Sequence, residues 1–304
     1  MLLKDYGEID LLKKIAQYSE VEKIGHDAAD LNVSSDKITL ITTDMMAEGI
    51  HFHCIHEDML HEGPNIPTDI DSCFEIGFKA IAVNVSDIDA EGGVPKEALV
   101  SLCVNKNADI SYIERFYNGI NEAAKYYGIK IVGGDLINTL NGVVISIVLT
   151  GEVENDLRLT RKGAKPGNNV YVTGPLGESS QKNYKISFER LKKIGKKGRI
   201  IAQNKLANAM TDISDGLGRS LYDLYQQSNV GFKIYENKIP LATEASLDNA
   251  LNGGEDFELL FTSDQDLKKD YHYIGKVIDK PKIVLVNDKG KEQILRTFGY
   301  NQFN

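Results

Sequence analysis

Acidic side chains recur along this chain in short clusters, each at the end of an apolar run or beside glycine. Hard oxygen ligands without imidazole or thiolate partners suit Mg²⁺, which proteins bind through one or two carboxylates together with substrate phosphates. The pattern therefore predicts a site that holds several magnesium ions against a polyphosphate. The clusters are Gly25-His26-Asp27-Ala28-Ala29-Asp30, Thr42-Thr43-Asp44, Asn84-Val85-Ser86-Asp87, Gly133-Gly134-Asp135, Asp212-Ile213-Ser214-Asp215-Gly216 and Gly253-Gly254-Glu255-Asp256.

The common phosphate-binding loops are missing, since no Gly-Lys is followed by Ser or Thr and no G-x-G-x-x-G follows a predicted strand. The paired glycines at 133–134 and 253–254 offer another device, because backbone N–H groups there can approach phosphate oxygens closely. Each cluster alone is equally typical of a solvated turn or a helix cap. The recurrence of one chemical theme in both halves of the chain favours the metal and phosphate interpretation.

Two other features leave alternatives open. Arg161 either clamps a phosphate or is a solvated linker arginine, and its spacing does not decide between them. His51, His53, His56 and His61 lie close together around Cys54, which suggests zinc. Because their spacing fits no standard zinc motif, we expect one histidine to contact a substrate phosphate instead.

Length and composition restrict the class of protein. A chain of 304 residues predicts two domains. Its formal net charge of -9 argues against nucleic-acid binding, which normally requires a basic surface. Three scattered cysteines predict no disulfide framework, no apolar run is long enough for a membrane span, and the N-terminus lacks a signal-peptide pattern. We therefore expect a cytoplasmic protein with no membrane partner.

Apolar periodicity predicts mixed helices and strands, in an α/β or α+β fold. Helices are expected around Ile9, from Phe74 to Ala90, from a Ser111–Glu114 capping box to Gly128, and after Leu217. We expect a loop at 53–72 and a mobile or surface segment at 181–205. The strands are predicted at Lys37–Thr43, ending at Asp44; at Ile129–Val132, ending in the Gly133-Gly134-Asp135 turn; and at Val143–Thr150, Val170–Thr173, Phe257–Thr262, Tyr273–Val277 and Lys282–Val286.

In this order and spacing, the motifs resemble those of the thiamine-monophosphate kinases, in the superfamily of aminoimidazole ribonucleotide synthetase. The resemblance extends from Gly25 to the C-terminus. It includes Glu48-Gly49-Ile50-His51-Phe52 after the Asp44 cluster, Lys79–Asp87, Thr160–Gly167, Asp212–Leu217 and Gly253–Leu259. It implies two domains, 1–152 and 153–304: an N-terminal mixed sheet that pairs in a dimer, and a C-terminal α/β domain that completes the site.

The resemblance further implies a homodimeric kinase that uses ATP and several Mg²⁺ ions to phosphorylate thiamine phosphate, with no covalent nucleophile. His51 and Glu255 would contact the thiamine substrate, and Tyr300 would stack on it. The ATP contacts would be Gly134, Asp135, Arg161 and Ser214. The magnesium ligands would be Asp27, Thr42, Thr43, Asp44, Asp87, Asp135, Asp212 and Asp215.

The chain departs from the family pattern at several places. His26 stands where the family usually has an acidic residue, Leu136 where it prefers threonine, and residues 177–208 lack the usual pattern. Two alternatives therefore stay open, namely another ATP-using synthetase of the superfamily, of the purine-pathway type, and a non-catalytic nucleotide-binding relative. Selenophosphate synthetases and hydrogenase-maturation relatives are disfavoured, because no cysteine precedes Gly25 or lies near Asn304.

Overall fold

The computed structural model describes residues 14, 25–52, 70–140, 142–181, 186–296 and 299–300. The described residues divide into two compact units. The five-stranded unit comprises those within Asp30–Arg158 and Tyr184–Gln203, and the seven-stranded unit those within Met1–Ala29, Leu159–Asn183 and Asn204–Asn304. The predicted helix around Ile9 and most of the predicted 53–72 loop lie outside the described residues.

The five-stranded unit has one mixed sheet in the order β1-β2-β5-β3-β4. Strand β2 pairs antiparallel with β5, β5 antiparallel with β3, and β3 parallel with β4. Two helices follow β2 and β3 in the chain. The elements are β1 (Ala29–Val33), β2 (Lys37–Ala47), α1 (Ile70–Ala90), β3 (Val94–Val104), α2 (Ile110–Tyr127), β4 (Lys130–Asn138) and β5 (Val144–Glu154).

Side-chain alternation gives this sheet one covered face and one open face. Helix α1 packs on β2, β3 and β5, and the residues of the covered face, such as Leu40, Val100 and Ile147, are buried. The intervening residues project from the opposite face, because successive side chains of a strand alternate. On that open face Met45 is 62% exposed, Leu99 43% and Ile137 55%.

Three predictions in this unit are corrected. Strand β2 does not end at Asp44 but continues to Ala47, and β4 runs through Gly133-Gly134-Asp135, which is strand rather than a turn. The N-cap of α2 is Asp109, whose carboxylate accepts the Ser111 N–H, so the expected Ser111 capping box is wrong. Gly128 does end α2, in the left-handed conformation.

The lysine-rich segment is packed, so its description as mobile or surface chain is wrong for residues 186–203. Leu191 and Ile201 are buried in its short helices α4 (Phe188–Leu191) and α5 (Gly198–Gln203), and Ile194 is buried in the turn between them. Asp89, at the end of α1, accepts the backbone N–H groups of Lys197, Gly198 and Arg199. Apolar periodicity did not reveal these helices because they have only four and six residues, too few to show a helical repeat.

The seven-stranded unit has the sheet order β12-β11-β8-β10-β6-β9-β7, in which only β8 and β11 pair in parallel. Helix α6 buries Leu217, Leu221 and Leu224 in the unit's core, as predicted. The elements are β6 (Asn169–Val172), α3 (Glu178–Gln181), β7 (Ala209–Ile213), α6 (Leu217–Ser228), β8 (Gly231–Tyr235), β9 (Glu258–Ser263), β10 (His272–Ile278), β11 (Ile283–Val286) and β12 (Glu292–Ile294).

Short turns complete this unit, a 3-10 turn at Glu236–Lys238 and a π-helical turn at Asn249–Gly253. Within the described part of the chain, no helix combines the length and apolarity that crossing a bilayer requires.

Candidate active site

In the five-stranded unit, strand β2 and helix α1 bring Thr42 and Asp87 into contact. The Thr42 hydroxyl donates to Asp87 Oδ2 over 2.5 Å. Thr42 is buried on the covered face of the sheet. A hydroxyl and a carboxylate from separate elements thus present hard oxygen atoms side by side.

Asp44 follows on the same face of β2 and is fixed through its backbone. Its N–H donates to Asn84 Oδ1 over 2.9 Å, and Asn84 Nδ2 donates to the Ala80 carbonyl of α1 over 3.0 Å. Asn84 is fully buried. Burial raises the pKa of Asp44 to about 6, because removing water disfavours the charged carboxylate relative to the neutral acid. At neutral pH the carboxylate is still ionised and able to bind a cation.

Two other predicted ligands lie on the open face of the same sheet. Thr43 alternates with Thr42 and Asp44, and its hydroxyl donates to the Ile147 carbonyl. Asp135 pairs with Ser101, which lies between the buried Val100 and Leu102. The alternation of strand side chains therefore separates Thr43 and Asp135 from Thr42 and Asp44.

Gly134 is required where β4 approaches β3. A Cβ atom built on Gly134 would lie 1.8 Å from the carbonyl oxygen of Val100, so a larger residue would force the strands apart. The neighbouring Gly133 is less constrained, since its Cβ would meet only the Leu99 side chain, at 3.3 Å.

His51 lies in the turn that follows β2. Its Nδ1 accepts the Ala47 N–H over 3.1 Å, and Lys79 donates to its backbone carbonyl over 2.7 Å. Burial and the charge of Lys79 lower the pKa of His51, so the ring is neutral at pH 7. Since Nδ1 is an acceptor, the hydrogen-bond pattern assigns the ring proton to Nε2, which is then a donor.

In the seven-stranded unit, three segments far apart in sequence meet at the end of β7. Glu255 N–H donates to the Ser214 carbonyl over 2.5 Å, and Tyr300 N–H donates to the Asp215 carbonyl over 2.9 Å. Gly254 has φ +95°, and a Cβ there would lie 2.8 Å from the Ser214 carbonyl oxygen. This close approach explains why glycine is required at position 254, beside the Asp212–Gly216 motif.

The Gly254–Phe257 loop is also backbone-strained. Glu255 and Phe257 have positive φ values, +56° and +50°, which are uncommon for residues with a side chain. The loop is secured by buried Asp256, which accepts the Gly177 N–H, and by Ser179, which donates to the Glu255 carbonyl. Strain that the surrounding bonds maintain is typical of binding sites.

Asp27, Arg161, Thr211 and Asp223 form a second group in this unit, which we call the Asp27 network. Arg161 Nη2 lies 2.8 Å from Asp27 Oδ1 and its Nη1 3.3 Å from Asp223 Oδ2. Burial alone would lower the pKa of Arg161, but the charges of Asp27, Asp223 and Asp212 raise it. Arg161 is therefore a mostly buried, ion-paired residue, and the solvated-linker alternative is wrong.

Sequence reasoning missed several residues that organise these groups. Thr211, Asp223, Asn84 and Lys79 each bond directly to a predicted site residue. Thr211 immediately precedes Asp212 in β7. Its position next to a predicted ligand could have suggested a role at the site. Asp223 lies two turns into α6 and has no comparable local signal.

The donor set fits magnesium in its chemistry. The predicted ligands offer carboxylate and hydroxyl oxygens only, which are hard donors that Mg²⁺ prefers over thiolates or imidazoles. Several of these oxygens are held by hydrogen bonds to neighbouring groups, as at Thr42–Asp87 and at Asp27.

Comparison with known proteins shows a consistent relationship. The chain matches the models of the AIR synthase related protein, N-terminal domain over residues 25–153 and C-terminal domain over 165–287. It is 36% identical to the thiamine-monophosphate kinase of Aquifex aeolicus over 86% of this chain and 87% of that protein. It is 33% identical to the Bacillus subtilis thiamine-monophosphate kinase over 97% and 99%.

A solved structure described as AaThiL complexed with AMPPCP and TMP aligns with a TM-score of 0.81 and 32% sequence identity, covering 99% of each chain.

Proposed function

This chain belongs to the AIR synthase related protein family, and from that membership we propose that it transfers the γ-phosphoryl group of ATP to thiamine phosphate, giving thiamine diphosphate and ADP. The likeness, over nearly the whole chain, to a solved relative described with AMPPCP and TMP carries the proposal. Curated relatives named thiamine-monophosphate kinase support the same activity.

The reaction is a direct in-line transfer. A phosphate oxygen of thiamine phosphate forms a bond to the γ-phosphorus, and the bond from that phosphorus to the oxygen of ADP breaks. Such a transfer needs positioning and charge neutralisation rather than a covalent protein group. Both reactants are anionic, so bound Mg²⁺ would supply the charge that offsets their repulsion.

In this proposal each unit contributes its own oxygen donors as magnesium ligands. Thr42, Asp44 and Asp87 are supported by their shared placement at β2 and α1. Asp27, Asp212 and Asp215 are supported by their placement around β7. Thr43 and Asp135 lie on the opposite, open face of the five-stranded sheet, so in this proposal they would bind a different ion from Thr42 and Asp44, near the proposed dimer interface.

The remaining site residues are assigned to the two substrates. The proposed ATP contacts are Gly134, Asp135, Arg161 and Ser214. The carboxylates of Asp27 and Asp223 hold the Arg161 guanidinium in place. For thiamine phosphate we propose His51, Glu255 and Tyr300. His51 suits an acceptor phosphate, because a neutral ring with its proton on Nε2 donates a hydrogen bond.

A homodimer is part of the proposal. Met45, Leu99 and Ile137 are exposed apolar residues on the open face of the five-stranded sheet. Exposed apolar side chains on one face are typical of interaction sites, and a second copy of the same sheet would cover them. A cytoplasmic location belongs to the same proposal, because the reaction consumes ATP.

The test is an ADP-release assay with thiamine phosphate, ATP and Mg²⁺, together with chromatographic detection of thiamine diphosphate. We expect equal amounts of ADP and thiamine diphosphate. ADP release with another phosphorylated acceptor and none with thiamine phosphate would reject the assignment in favour of a synthetase of the same family. ATP binding without turnover of any acceptor would indicate a non-catalytic protein.

A further inference from the structure

Thr211 is a buried residue of β7 whose hydroxyl joins two proposed site residues. It is 1% exposed. Its Oγ1 donates to Asp27 Oδ1 over 2.8 Å and accepts from Arg161 Nε over 3.1 Å. The hydroxyl thus acts as donor and acceptor at once, and a side chain without it would leave both partners with one bond fewer.

Arg161 closes the arrangement into a ring. Its Nη2 donates to the same Asp27 oxygen, Oδ1, over 2.8 Å. Asp27 Oδ1 therefore accepts two hydrogen bonds, one from a hydroxyl and one from a guanidinium. Two donors on one oxygen fix the rotation of the carboxylate.

We propose that Thr211 is a positioning residue that orients the Asp27 carboxylate for a divalent cation and holds the Arg161 guanidinium beside it. The inference rests on the proposed function insofar as Asp27 is taken as a magnesium ligand. We assign Thr211 no direct bond to the cation, because its buried hydroxyl already donates to Asp27 and accepts from Arg161.

The expected effect follows from how outer partners act on metal ligands. Removing a group that holds a ligating side chain typically costs about 10- to 100-fold in metal affinity. Arg161 still holds Asp27 when Thr211 is changed, so we expect the lower end of that range. Thr211→Val keeps the shape of the side chain and removes the hydroxyl, while Thr211→Ser keeps the hydroxyl.

Thr262 provides a matched control on the adjacent strand β9. It is fully buried, and its hydroxyl makes no hydrogen bond within the part of the chain that the structure describes. Thr262→Val therefore makes the same chemical change in the same sheet without touching the Asp27 network. We expect it to leave cation binding unchanged.

The experiment measures Mn²⁺ dissociation constants of the full chain by electron paramagnetic resonance of free Mn²⁺, without nucleotide. Thr211→Val should weaken the tightest Mn²⁺ site roughly 10-fold, Thr211→Ser should restore it, and Thr262→Val should match the wild type. In an Asp27→Asn background, Thr211→Val should not weaken Mn²⁺ binding further, because the effects of substitutions at two residues in contact are not additive.

Three results would overturn the inference: wild-type Mn²⁺ affinity in a folded Thr211→Val protein, failure of Thr211→Ser to restore binding, or an undiminished effect of Thr211→Val in the Asp27→Asn background. Should Thr211→Val not fold, Thr211→Ala replaces it in the same comparisons. Mn²⁺ binding is measured without turnover, so failure of this inference is distinguishable from failure of the wild type to form thiamine diphosphate.

Discussion

At the scale of single residues, the five-stranded unit prepares two groups with opposite pKa shifts. Burial raises the pKa of Asp44 to about 6, yet the group stays ionised at pH 7. Burial, with the charge of Lys79, lowers the pKa of His51 and keeps it neutral. Removal of water disfavours the charged form of both groups. It therefore helps to keep His51 an uncharged hydrogen-bond donor, whereas Asp44 stays anionic at pH 7 because its raised pKa is still below 7.

Asp87 gives the sharpest test at this scale. Asp87→Asn removes a negative charge but keeps an oxygen that can accept the Thr42 hydroxyl, so the fold should survive. We expect kcat/KM for thiamine phosphate to fall roughly 100-fold or more, because a metal ligand is lost. The ADP-release assay measures this, with circular dichroism as the check on folding.

Asp36 supplies the control for Asp87, since it is an exposed residue in the turn before β2. Asp36→Asn makes the same chemical change and should leave kcat/KM within about two-fold of the wild type, as surface substitutions usually do. Equal activity of the Asp87→Asn and wild-type proteins would exclude Asp87 from the metal site.

At the scale of elements, the packed 186–203 segment depends on polar bonds as well as apolar contacts. Phe188 lies against Phe74 and Phe78 of α1, at ring-centroid distances of 5.5 and 4.9 Å. Arg199 makes two bonds to Glu154 of β5, of 2.6 and 2.9 Å. A lysine-rich stretch is thus held on the five-stranded unit although it comes from the second half of the sequence.

The Glu154–Arg199 pair predicts a dependence of stability on pH. The hydrogen bond that Arg199 donates to Glu154 lowers the pKa of Glu154 from an ordinary value of 4.5 to about 2. A carboxylate with a lowered folded-state pKa stabilises above its unfolded pKa, and that contribution is lost as pH falls from about 4.5 toward 2. Glu154→Gln should therefore be less stable than the wild type at pH 6, and the difference should narrow at pH 3.

Urea denaturation at the two pH values measures the Glu154 effect, which we expect to be small because the carboxylate is partly exposed. Glu97→Gln on the adjacent strand β3 is the control, since Glu97 has no ion pair among the described residues. A Glu154→Gln destabilisation that is the same at both pH values would reject the role of the ion pair.

Gly134 predicts a second effect at the scale of elements. In Gly134→Ala the new methyl group would meet the Val100 carbonyl at 1.8 Å, and backbone has little freedom to move there. We expect a loss of about 2–3 kcal/mol or more in the free energy of unfolding. Gly133→Ala should cost less, because its methyl group meets only the Leu99 side chain. Thermal unfolding compares the two, and equal losses would contradict the close approach of β3 and β4.

At the scale of the whole molecule, the open sheet face explains why the proposal includes a second copy of the chain. A sheet face that meets only water normally carries polar side chains. Here Met45, Leu99 and Ile137 are exposed as well, beside the polar Thr43 and Asp135. Covering them stabilises the protein through the hydrophobic effect, at about 25 cal/mol per Å² of apolar surface.

The dimer is tested by Leu99→Glu, which places a charge in the middle of this face. We expect the variant to be monomeric at concentrations where the wild type is dimeric, because burying an unpaired charge is costly. Light scattering after size-exclusion chromatography measures the mass. Ile110→Glu is the control, since Ile110 is 67% exposed at the start of α2, on another surface. Loss of the dimer in both variants, or in neither, would reject this face as the interface.

Much of the fold was accessible from the sequence because its signals are local. The helices at 70–90 and 217–228 and the strands at 144–154 and 258–263 follow apolar periodicity. The order of the motifs identified the family, which the comparisons confirm. The prediction of a turn at Gly133-Gly134-Asp135 was wrong. Glycines favour turns locally, whereas here Gly134 permits the close approach of two strands.

The sequence by itself determined which chemical groups are available: oxygen ligands, paired glycines and an excess of acidic over basic side chains. Only the tertiary structure decided their arrangement, placing Asp44 beside Asn84, and Glu255 and Tyr300 beside the Ser214-Asp215 turn. It also revealed Thr211 as the link between Asp27 and Arg161. The reason is physical, because these contacts join residues forty or more positions apart, which depend on chain packing, and no local periodicity encodes them.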